Sequence, residues 1–584
     1  MEGFIMKKRN RMLALLLATT TVVCSITGCG NTETSDTGSS SHSSHHARTE
    51  SHSGSTSSKE TMSGKSENTA PSVGYIVGDA EAPATASSGL VTESAMDSGA
   101  CYDTTCGGYD YGYYPYYEEN TESYQKPEEN GFSLAMANPL STFAADVDTA
   151  SYANVRRMIE SGYAGGDIPA AAVRPEEFIN YFSYDLNGPD RGEKFGVTTE
   201  VSVCPWNPDH QLLFVGVKAE DQLDGQIPES NLVFLIDVSG SMASSNKLDL
   251  LKTAFVDLVD NLEGDGTVSI VTYASEEKVV LDGARMSDKR AIKKAINSLS
   301  AGGATAGERG MEMAYEVARD NFIEGGNNRI IMATDGDLNV GISDPDELEK
   351  FIEQKKDDGI FLSVLGFGDG NYKDDRLERL ADCGNGNYNY IDSQLEAKKV
   401  LVDQMSSTLV TVAKDVKFQI EFNPAMVNSF RLIGYENRQM EDVAFNDDSK
   451  DGGEIGSGHT VVALYEIVPA GSKDAIDLKY QNHTDEQKDV SDDYATVKIR
   501  YKEPDEDVSK LLTYVVDSSK FNETASENLA FAGLVAEFAM LLSDSDHIGN
   551  VTYDDIYCAY NELECCDIYR DEFAQLVWMV EKRG

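Results

Sequence analysis

The sequence predicts an α/β protein whose largest ordered part is a doubly wound, mostly parallel sheet. Two observations support this prediction. Near-continuous apolar runs, each long enough for a buried strand, occur at residues 232–236, 268–273, 330–333 and 361–367. The segments between these runs carry apolar residues at helical spacing. Strands that are apolar on both faces and alternate with helices are typical of a parallel sheet covered by helices on both sides.

The remaining elements are predicted from the same patterns, in chain order. In the α/β part the helices cover residues 248–262, 292–299, 306–322, 346–356 and 395–412. Before it, a small α+β region has a strand at 140–147, helices at 150–161 and 174–182, and strands at 195–203 and 212–217. After it, a β-rich segment has strands at 416–422, 430–435, 460–468 and 494–501, and helices follow at 525–542 and 553–580. Asp148 or Thr149 is expected to cap the helix that begins at residue 150.

Composition divides the chain into five segments. We expect a signal peptide at 1–28, a disordered tether rich in Ser, Thr, Gly and Tyr at 29–134, and ordered regions at 135–228, 229–412 and 413–584. The Tyr-rich part of the tether, residues 102–124, is either a contact segment or a spacer.

The N-terminus has the pattern of an export signal. Four basic residues between positions 7 and 11 precede a short apolar core at residues 12–23, which is too short to span a membrane. The core ends in Ile-Thr-Gly-Cys29, which resembles a bacterial lipobox. That resemblance implies that Cys29 carries a lipid and anchors the mature chain to the outer face of the cell membrane. The alternative is a plain secretory signal in which this cysteine is incidental.

Charge and cysteine usage exclude two classes of function. The chain has 49 Lys and Arg against 99 Asp and Glu, a formal net charge of −50, which argues against binding to nucleic-acid phosphates. The nine cysteines show no paired Cys-x-x-Cys spacing, so a structural zinc site is not expected. Their spacing does not determine a disulfide connectivity.

Oxygen-bearing side chains follow the first strand of the α/β part. Asp237, Ser239 and Ser241 occupy alternate positions, so on an extended strand they point the same way. One carboxylate with two hydroxyls suits Mg²⁺ or Mn²⁺ rather than Zn²⁺. The alternative is a strand that ends in a Ser/Gly turn and caps the next helix.

Two further stretches are predicted at the same edge of the sheet. Thr305 follows a Gly-rich loop, and Asp335 follows the strand at 330–333. Because ligands of open α/β sheets bind beyond the carboxyl ends of the strands, both residues can meet Asp237, Ser239 and Ser241 there.

These five residues resemble the metal-ion-dependent adhesion site (MIDAS) of von Willebrand factor type A (VWA) domains, which have a Rossmann-like fold. The resemblance implies that Asp237, Ser239, Ser241, Thr305 and Asp335 hold Mg²⁺, or Mn²⁺, and leave one coordination position for an Asp or Glu of a partner protein. The regions on either side, which include Pro205-Trp-Asn207 and Phe422-Asn-Pro, resemble the terminal regions of YfbK-type bacterial VWA lipoproteins.

The sequence therefore favours a non-enzymatic, Mg²⁺-dependent protein-binding module, anchored by lipid outside the cell. Two alternatives remain at this stage: an envelope enzyme such as a metal-assisted hydrolase, and a scaffold that acts through a bound chaperone or ATPase. Against an enzyme, the chain has no His-Glu-x-x-His motif and no Gly-x-Ser-x-Gly motif. His459 is either a general base or, as we expect, a structural histidine.

Overall fold

The structure is a computed structural model of the chain. It describes residues 122–584 except 126–127, 146–147, 222–227, 305–306, 337–344, 371, 406–409, 451, 477–490, 505 and 565–566. The predicted signal peptide, with Cys29, and nearly all of the predicted tether therefore lie outside the described residues.

The central α/β unit begins at residue 230, and strands and α-helices precede it among the described residues. The preceding elements are β1 (Ser133–Leu134), β2 (Leu140–Ala144), α1 (Ala150–Glu160), α2 (Pro175–Asn180), β3 (Phe195–Val203) and β4 (Gln211–Ala219). The α/β unit comprises β5 (Ser230–Asp237), α3 (Leu250–Asn261), β6 (Gly266–Tyr273), β7 (Lys278–Arg285), α4 (Lys289–Asn297), α5 (Gly307–Asp320), β8 (Asn327–Thr334), α6 (Pro345–Asp357), β9 (Phe361–Phe367), α7 (Asp374–Cys383), β10 (Tyr388–Ile391) and α8 (Gln394–Lys398).

The unit is built on a sheet with the order β10-β9-β8-β5-β6-β7. All neighbouring strands pair in parallel except β7, which pairs antiparallel with β6 at the edge. One core lies between the sheet and α3, α4 and α8, and a second lies between the opposite face and α5, α6 and α7. The predicted doubly wound, mostly parallel sheet is confirmed. Its antiparallel edge strand β7 was not predicted, because residues 278–285 are only partly buried and lack a long apolar run.

The C-terminal part continues with strands and then helices. Its elements are β11 (Thr411–Phe422), β12 (Val427–Leu432), β13 (Ile455–Gly456), β14 (Thr460–Pro469), β15 (Ala495–Lys502), β16 (Lys510–Val516), α9 (Glu527–Leu542), α10 (Tyr553–Tyr560) and α11 (Ile568–Arg583). Among the described helices, none is long and apolar enough to cross a membrane.

The regions before and after the α/β unit share two antiparallel sheets. One has the order β1-β12-β14-β4-β3, and in the other β11 pairs with β2, β13 and β15, which in turn pairs with β16. The two sheets enclose a common apolar core and so form a sandwich. The other face of the first sheet packs on α1, α2 and the C-terminal helices. The α/β unit is thus inserted between β4 and β11 of a single β-sandwich with a helical layer.

Three local predictions were wrong. The helix predicted at 395–412 is helical from Gln394 to Asp403 and again at Met405, and residues 406–409 lie outside the described residues. Only its predicted end is wrong: Val412 lies in strand β11, where the β-branched run Val-Thr-Val favours extended backbone. The helix predicted at 553–580 is interrupted after Tyr560, and α11 starts afresh with Asp567 as its cap.

The start of α1 also differs from the prediction. Thr149 holds the N-cap position, but its side chain makes no capping hydrogen bond; the Glu177 carboxylate accepts from the Ser151 N–H of the first turn instead, at 2.8 Å. The Asp148 carboxylate instead accepts hydrogen bonds from the Tyr388 backbone N–H, at 2.8 Å, and from Arg438, at 2.9 Å. Asp148 therefore joins the α/β unit to the sandwich. These contacts are distant in sequence, which is why a local capping rule did not find them.

Candidate metal centre

Asp237 and Asp335 lie where the chain changes direction in the central sheet. β5 has β6 as its neighbour on one side and β8 on the other. The chain leaves β5 toward β6 and later returns to β8, so the point between β5 and β8 is the topological switch point, the usual ligand position in open α/β sheets. Asp237 is the last residue of β5, and Asp335 directly follows β8. The two carboxylates are thus placed on adjacent strand ends.

The loop after β5 presents hydroxyl oxygens beside Asp237. The Ser239 backbone N–H donates to Asp237 Oδ1 at 2.8 Å, which folds the loop back over the carboxylate. The hydroxyl oxygens of Ser239 and Ser241 are 2.9 Å apart. Asp237 and Ser239 are buried, whereas Ser241 is exposed. β5 ends at Asp237, and Ser241 lies in a 3₁₀ turn, Gly240–Ala243, so this turn, and not the alternation of an extended strand, brings the two hydroxyls together beside the carboxylate.

The Gly-rich loop at 301–304 lies against this turn. Its Gly302 N–H donates to the Val238 carbonyl at 2.8 Å, and its Gly303 carbonyl accepts from the Gly240 N–H at 2.9 Å. A Cβ on Gly303, whose φ is +92°, would lie 2.5 Å from the Ser275 hydroxyl, so a side chain there is excluded. Thr305, the residue predicted to add a third hydroxyl, lies outside the described residues and remains a prediction.

Asp335 supplies an unsatisfied carboxylate oxygen. Its side chain is fully buried, and Oδ2 accepts a hydrogen bond from Lys247 Nζ at 2.9 Å. Within the described part of the chain, Oδ1 has no hydrogen-bond partner. A buried carboxylate oxygen without a donor is costly unless a cation or another partner satisfies it. This unsatisfied oxygen, beside a second carboxylate and two hydroxyls, fits a hard divalent cation such as Mg²⁺.

The electrostatics of Asp237 agree with this interpretation. Burial is the main cause that raises the pKa of Asp237 to about 6, and the nearby Asp335 carboxylate raises it too, although hydrogen bonds from Ser239 and Thr334 oppose the shift. Two carboxylates that are buried next to each other repel, and a cation between them relieves both effects.

Lys247 is a member of the site that the sequence did not reveal. It lies in a π-helical turn, Ser245–Asp249, just before α3. A lysine in such a polar stretch normally points to solvent, yet here the turn directs its side chain inward to Asp335. In the sequence, Lys247 lies after the Asp-x-Ser-x-Ser motif and directly before Leu248, the first apolar residue of the following helical pattern. That position is the one local indication that the side chain turns inward.

No competing metal site is found elsewhere in the described ranges. They contain no group of three or more His, Cys, Asp or Glu side chains able to hold a metal ion. Cys204, Cys383 and Cys558 are free thiols, and burial raises the pKa of Cys204 well above its usual range. The candidate centre therefore depends on two carboxylates supplemented by hydroxyl groups.

His459 lines a separate cavity of about 650 Å³ between the α/β unit and the sandwich. Burial lowers the pKa of its imidazole to about 4, so the ring is neutral at physiological pH. Arg329 and Lys218 also line this cavity, and Arg329 donates to the Ser363 hydroxyl at 2.8 Å. Among the described residues, no hydroxyl or thiol hydrogen-bonds to His459.

Comparison with known families gives three matches. Residues 231–404 match the von Willebrand factor type A domain, and residues 407–582 match the family described as uncharacterized protein YfbK, C-terminal. Residues 118–214 match a family described as von Willebrand factor.

Among curated relatives, the uncharacterized protein YfbK of Escherichia coli (strain K12) is 40% identical over 472 residues, which cover 79% of this chain and 81% of the relative. The uncharacterized protein sll0103 of Synechocystis sp. is 32% identical over 213 residues, and these cover 36% of this chain but only 49% of that protein. A solved structure, a von Willebrand factor type A protein from Catenulispora acidiphila, has a TM-score of 0.35 at 15% identity and covers 61% of this chain and 80% of its own.

Proposed function

Because the chain belongs to the YfbK family of VWA-domain proteins, we propose that it is a divalent-cation-dependent protein-binding module. Asp237, Ser239, Ser241, Thr305 and Asp335 would hold Mg²⁺ or Mn²⁺, and the partner would contribute an Asp or Glu carboxylate to the ion. When bound, the ion supplies positive charge at one point of an otherwise ordinary protein interface.

The observation that carries this proposal is the unsatisfied Oδ1 of Asp335 beside Asp237 at the switch point of the sheet. The position of Ser241 adds to it: its hydroxyl is exposed, so the site is reachable from solvent, whereas the two carboxylates lie behind it in the sheet edge. A net charge of −50 repels acidic partners, and binding of one would therefore depend on the cation.

The test is capture of envelope proteins by the full chain, in Mg²⁺ and in EDTA. Wild-type chain is compared with Asp237→Asn, which keeps an oxygen to accept the Ser239 N–H but removes the charge. Asp320→Asn, a change at an exposed position at the end of α5, is the matched control. We expect one set of partners that requires both Mg²⁺ and Asp237. Partners retained equally in all conditions would contradict the proposal.

We further propose that Cys29 is lipidated and holds the protein at the outer face of a bacterial membrane. The support is the lipobox-like sequence Ile-Thr-Gly-Cys29 after a basic and apolar signal. Fractionation after a salt wash tests it: wild-type chain should stay with membranes and Cys29→Ser should be released. Retention of Cys29→Ser on the membrane would count against the anchor.

A further inference from the structure

The Lys247 side chain is buried in the candidate metal centre. Its side chain is only 8% exposed, and its ammonium group is 2.9 Å from Oδ2 of the fully buried Asp335. Lysine is rarely buried unless it is paired, and this pairing joins the turn before α3 to the end of β8. The contact is therefore a built feature of the centre rather than a surface ion pair.

The backbone at Gly368 makes room for this lysine. Gly368 follows β9 with a φ of +77°, and a Cβ at this position would lie 2.1 Å from Lys247 Cε. Any other residue would force the lysine out of its path. The neighbouring carbonyl of Gly368 accepts a hydrogen bond from Tyr390, so the loop is fixed in place. The channel for Lys247 is thus defined by the backbone itself.

The charge balance of the centre follows from these contacts. Asp237 and Asp335 contribute −2 when ionised and Lys247 contributes +1, which gives −1, whereas the two carboxylates alone would give −2. A divalent ion would then leave the centre with a net charge of +1 instead of 0. The lysine thus opposes the ion, since like charges a few ångströms apart repel strongly when they are partly buried.

We propose that Lys247 is an internal counter-ion of the metal centre. It neutralises Asp335 in the ion-free protein, lowers the affinity for the divalent cation, and leaves the loaded centre with excess positive charge that favours the carboxylate of a partner. This inference rests on the proposed function, because it assumes that the centre binds a divalent ion. Its consequence is that the ion and an acidic partner bind cooperatively, and that the centre responds to changes in free cation concentration instead of being permanently loaded.

The test is titration of the full chain with Mn²⁺, followed by the electron paramagnetic resonance signal of free Mn²⁺. Lys247→Met removes the charge and keeps an unbranched side chain of similar length, and Lys294→Met removes a charge at an exposed position in α4. We expect Lys247→Met to bind Mn²⁺ at least about tenfold more tightly than wild type. Lys294→Met should bind like wild type, and so should Lys247→Arg, which retains the charge.

Thermal unfolding in EDTA provides a second readout. Without the lysine, Asp335 is a buried carboxylate lacking its counter-ion, so Lys247→Met should unfold at a lower temperature than wild type in EDTA and recover part of the difference in Mn²⁺. If Lys247→Met does not fold, Lys247→Gln replaces it in the titration. An affinity for Mn²⁺ that is unchanged or weaker in folded Lys247→Met and Lys247→Gln would overturn the inference.

The outcomes separate the two proposals. If wild-type chain binds no Mn²⁺, or binds it equally well after Asp237→Asn, the proposed function fails. If wild type binds Mn²⁺ through Asp237 but Lys247→Met shows the same affinity, only the role of Lys247 fails, and the lysine is a structural partner of Asp335.

Discussion

The Arg156 guanidinium forms a bidentate pair with the Asp392 carboxylate, with Nε to Oδ2 at 2.7 Å and Nη2 to Oδ1 at 2.6 Å. Arg156 belongs to α1, which precedes the α/β unit, whereas Asp392 directly follows β10 of that unit. The same guanidinium also bonds to Glu396 and to Glu572 of the C-terminal helix α11, each at 2.8 Å. One buried arginine therefore connects the α/β unit to the helical layer.

Replacement of Arg156 by Met should destabilise the protein by about 3–5 kcal/mol, because Asp392 would remain buried without its counter-ion and Glu396 would keep only Lys399. The measurement is urea unfolding of the full chain. Arg379→Met is the control: its pair with Glu349 involves a side chain that is 54% exposed, so its loss should cost less than about 1 kcal/mol. Equal effects of the two substitutions would contradict the role given to Arg156.

Gly368→Ala should be more destabilising than Gly370→Ala by about 1–3 kcal/mol. Both glycines have positive φ, +77° and +87°, so both substitutions carry backbone strain of about 1 kcal/mol. Only at Gly368 would the new Cβ collide with Lys247, whereas at Gly370 nothing lies within 4 Å. Thermal and urea unfolding of both variants test the difference, and equal losses would show that Lys247 is not confined there.

Stability should depend on pH through Glu537, which is buried in α9 and has its pKa raised to about 7, mainly by burial and secondly by Asp555. In the unfolded chain its pKa is near 4.5. Between these two pH values the Glu537 carboxyl is protonated in the folded state but ionised in the unfolded chain. The stability that this protonation contributes is fully present below about pH 4.5 and is lost as the pH rises through 7.

Glu537→Gln removes this titration, so its advantage over wild type in free energy of unfolding should grow by up to about 3 kcal/mol between pH 4.5 and pH 8. Urea unfolding at both pH values measures it. Glu523→Gln, an exposed change before α9, is the control and should show no such growth. A constant difference between Glu537→Gln and wild type would contradict the assignment.

The parts of the fold that the sequence predicted are those determined by local pattern. Strands β5, β6, β8 and β9 are buried along nearly all their length, so each appears as an apolar run that ends near the predicted residue. The placement of Asp237 and Asp335 on adjacent strand ends was predictable, because Asp237 ends one such strand and Asp335 directly follows another. The predicted end of the helix at Val412 was wrong, because helical spacing runs on without a breaker into the β-branched strand β11.

The pairing of distant segments was not predictable in the same way. β4 pairs with β14, and Leu213 lies opposite Tyr465 across the α/β insertion. No local pattern records which of several amphipathic strands are neighbours, since any of them can satisfy the alternation of buried and exposed residues. The contact between Lys247 and Asp335 was hidden for a related reason: it depends on a π-helical turn and on the missing side chain of Gly368.

The most direct test of the central claim is calorimetric titration of the full chain with Mg²⁺, for wild type, Asp237→Asn and Thr305→Ala. We expect one Mg²⁺ per wild-type chain, and loss of binding or a decrease of at least about 10-fold in affinity in each variant, because each change removes a proposed ligand. Binding of one Mg²⁺ with the same affinity in all three proteins would show that these residues do not hold the ion.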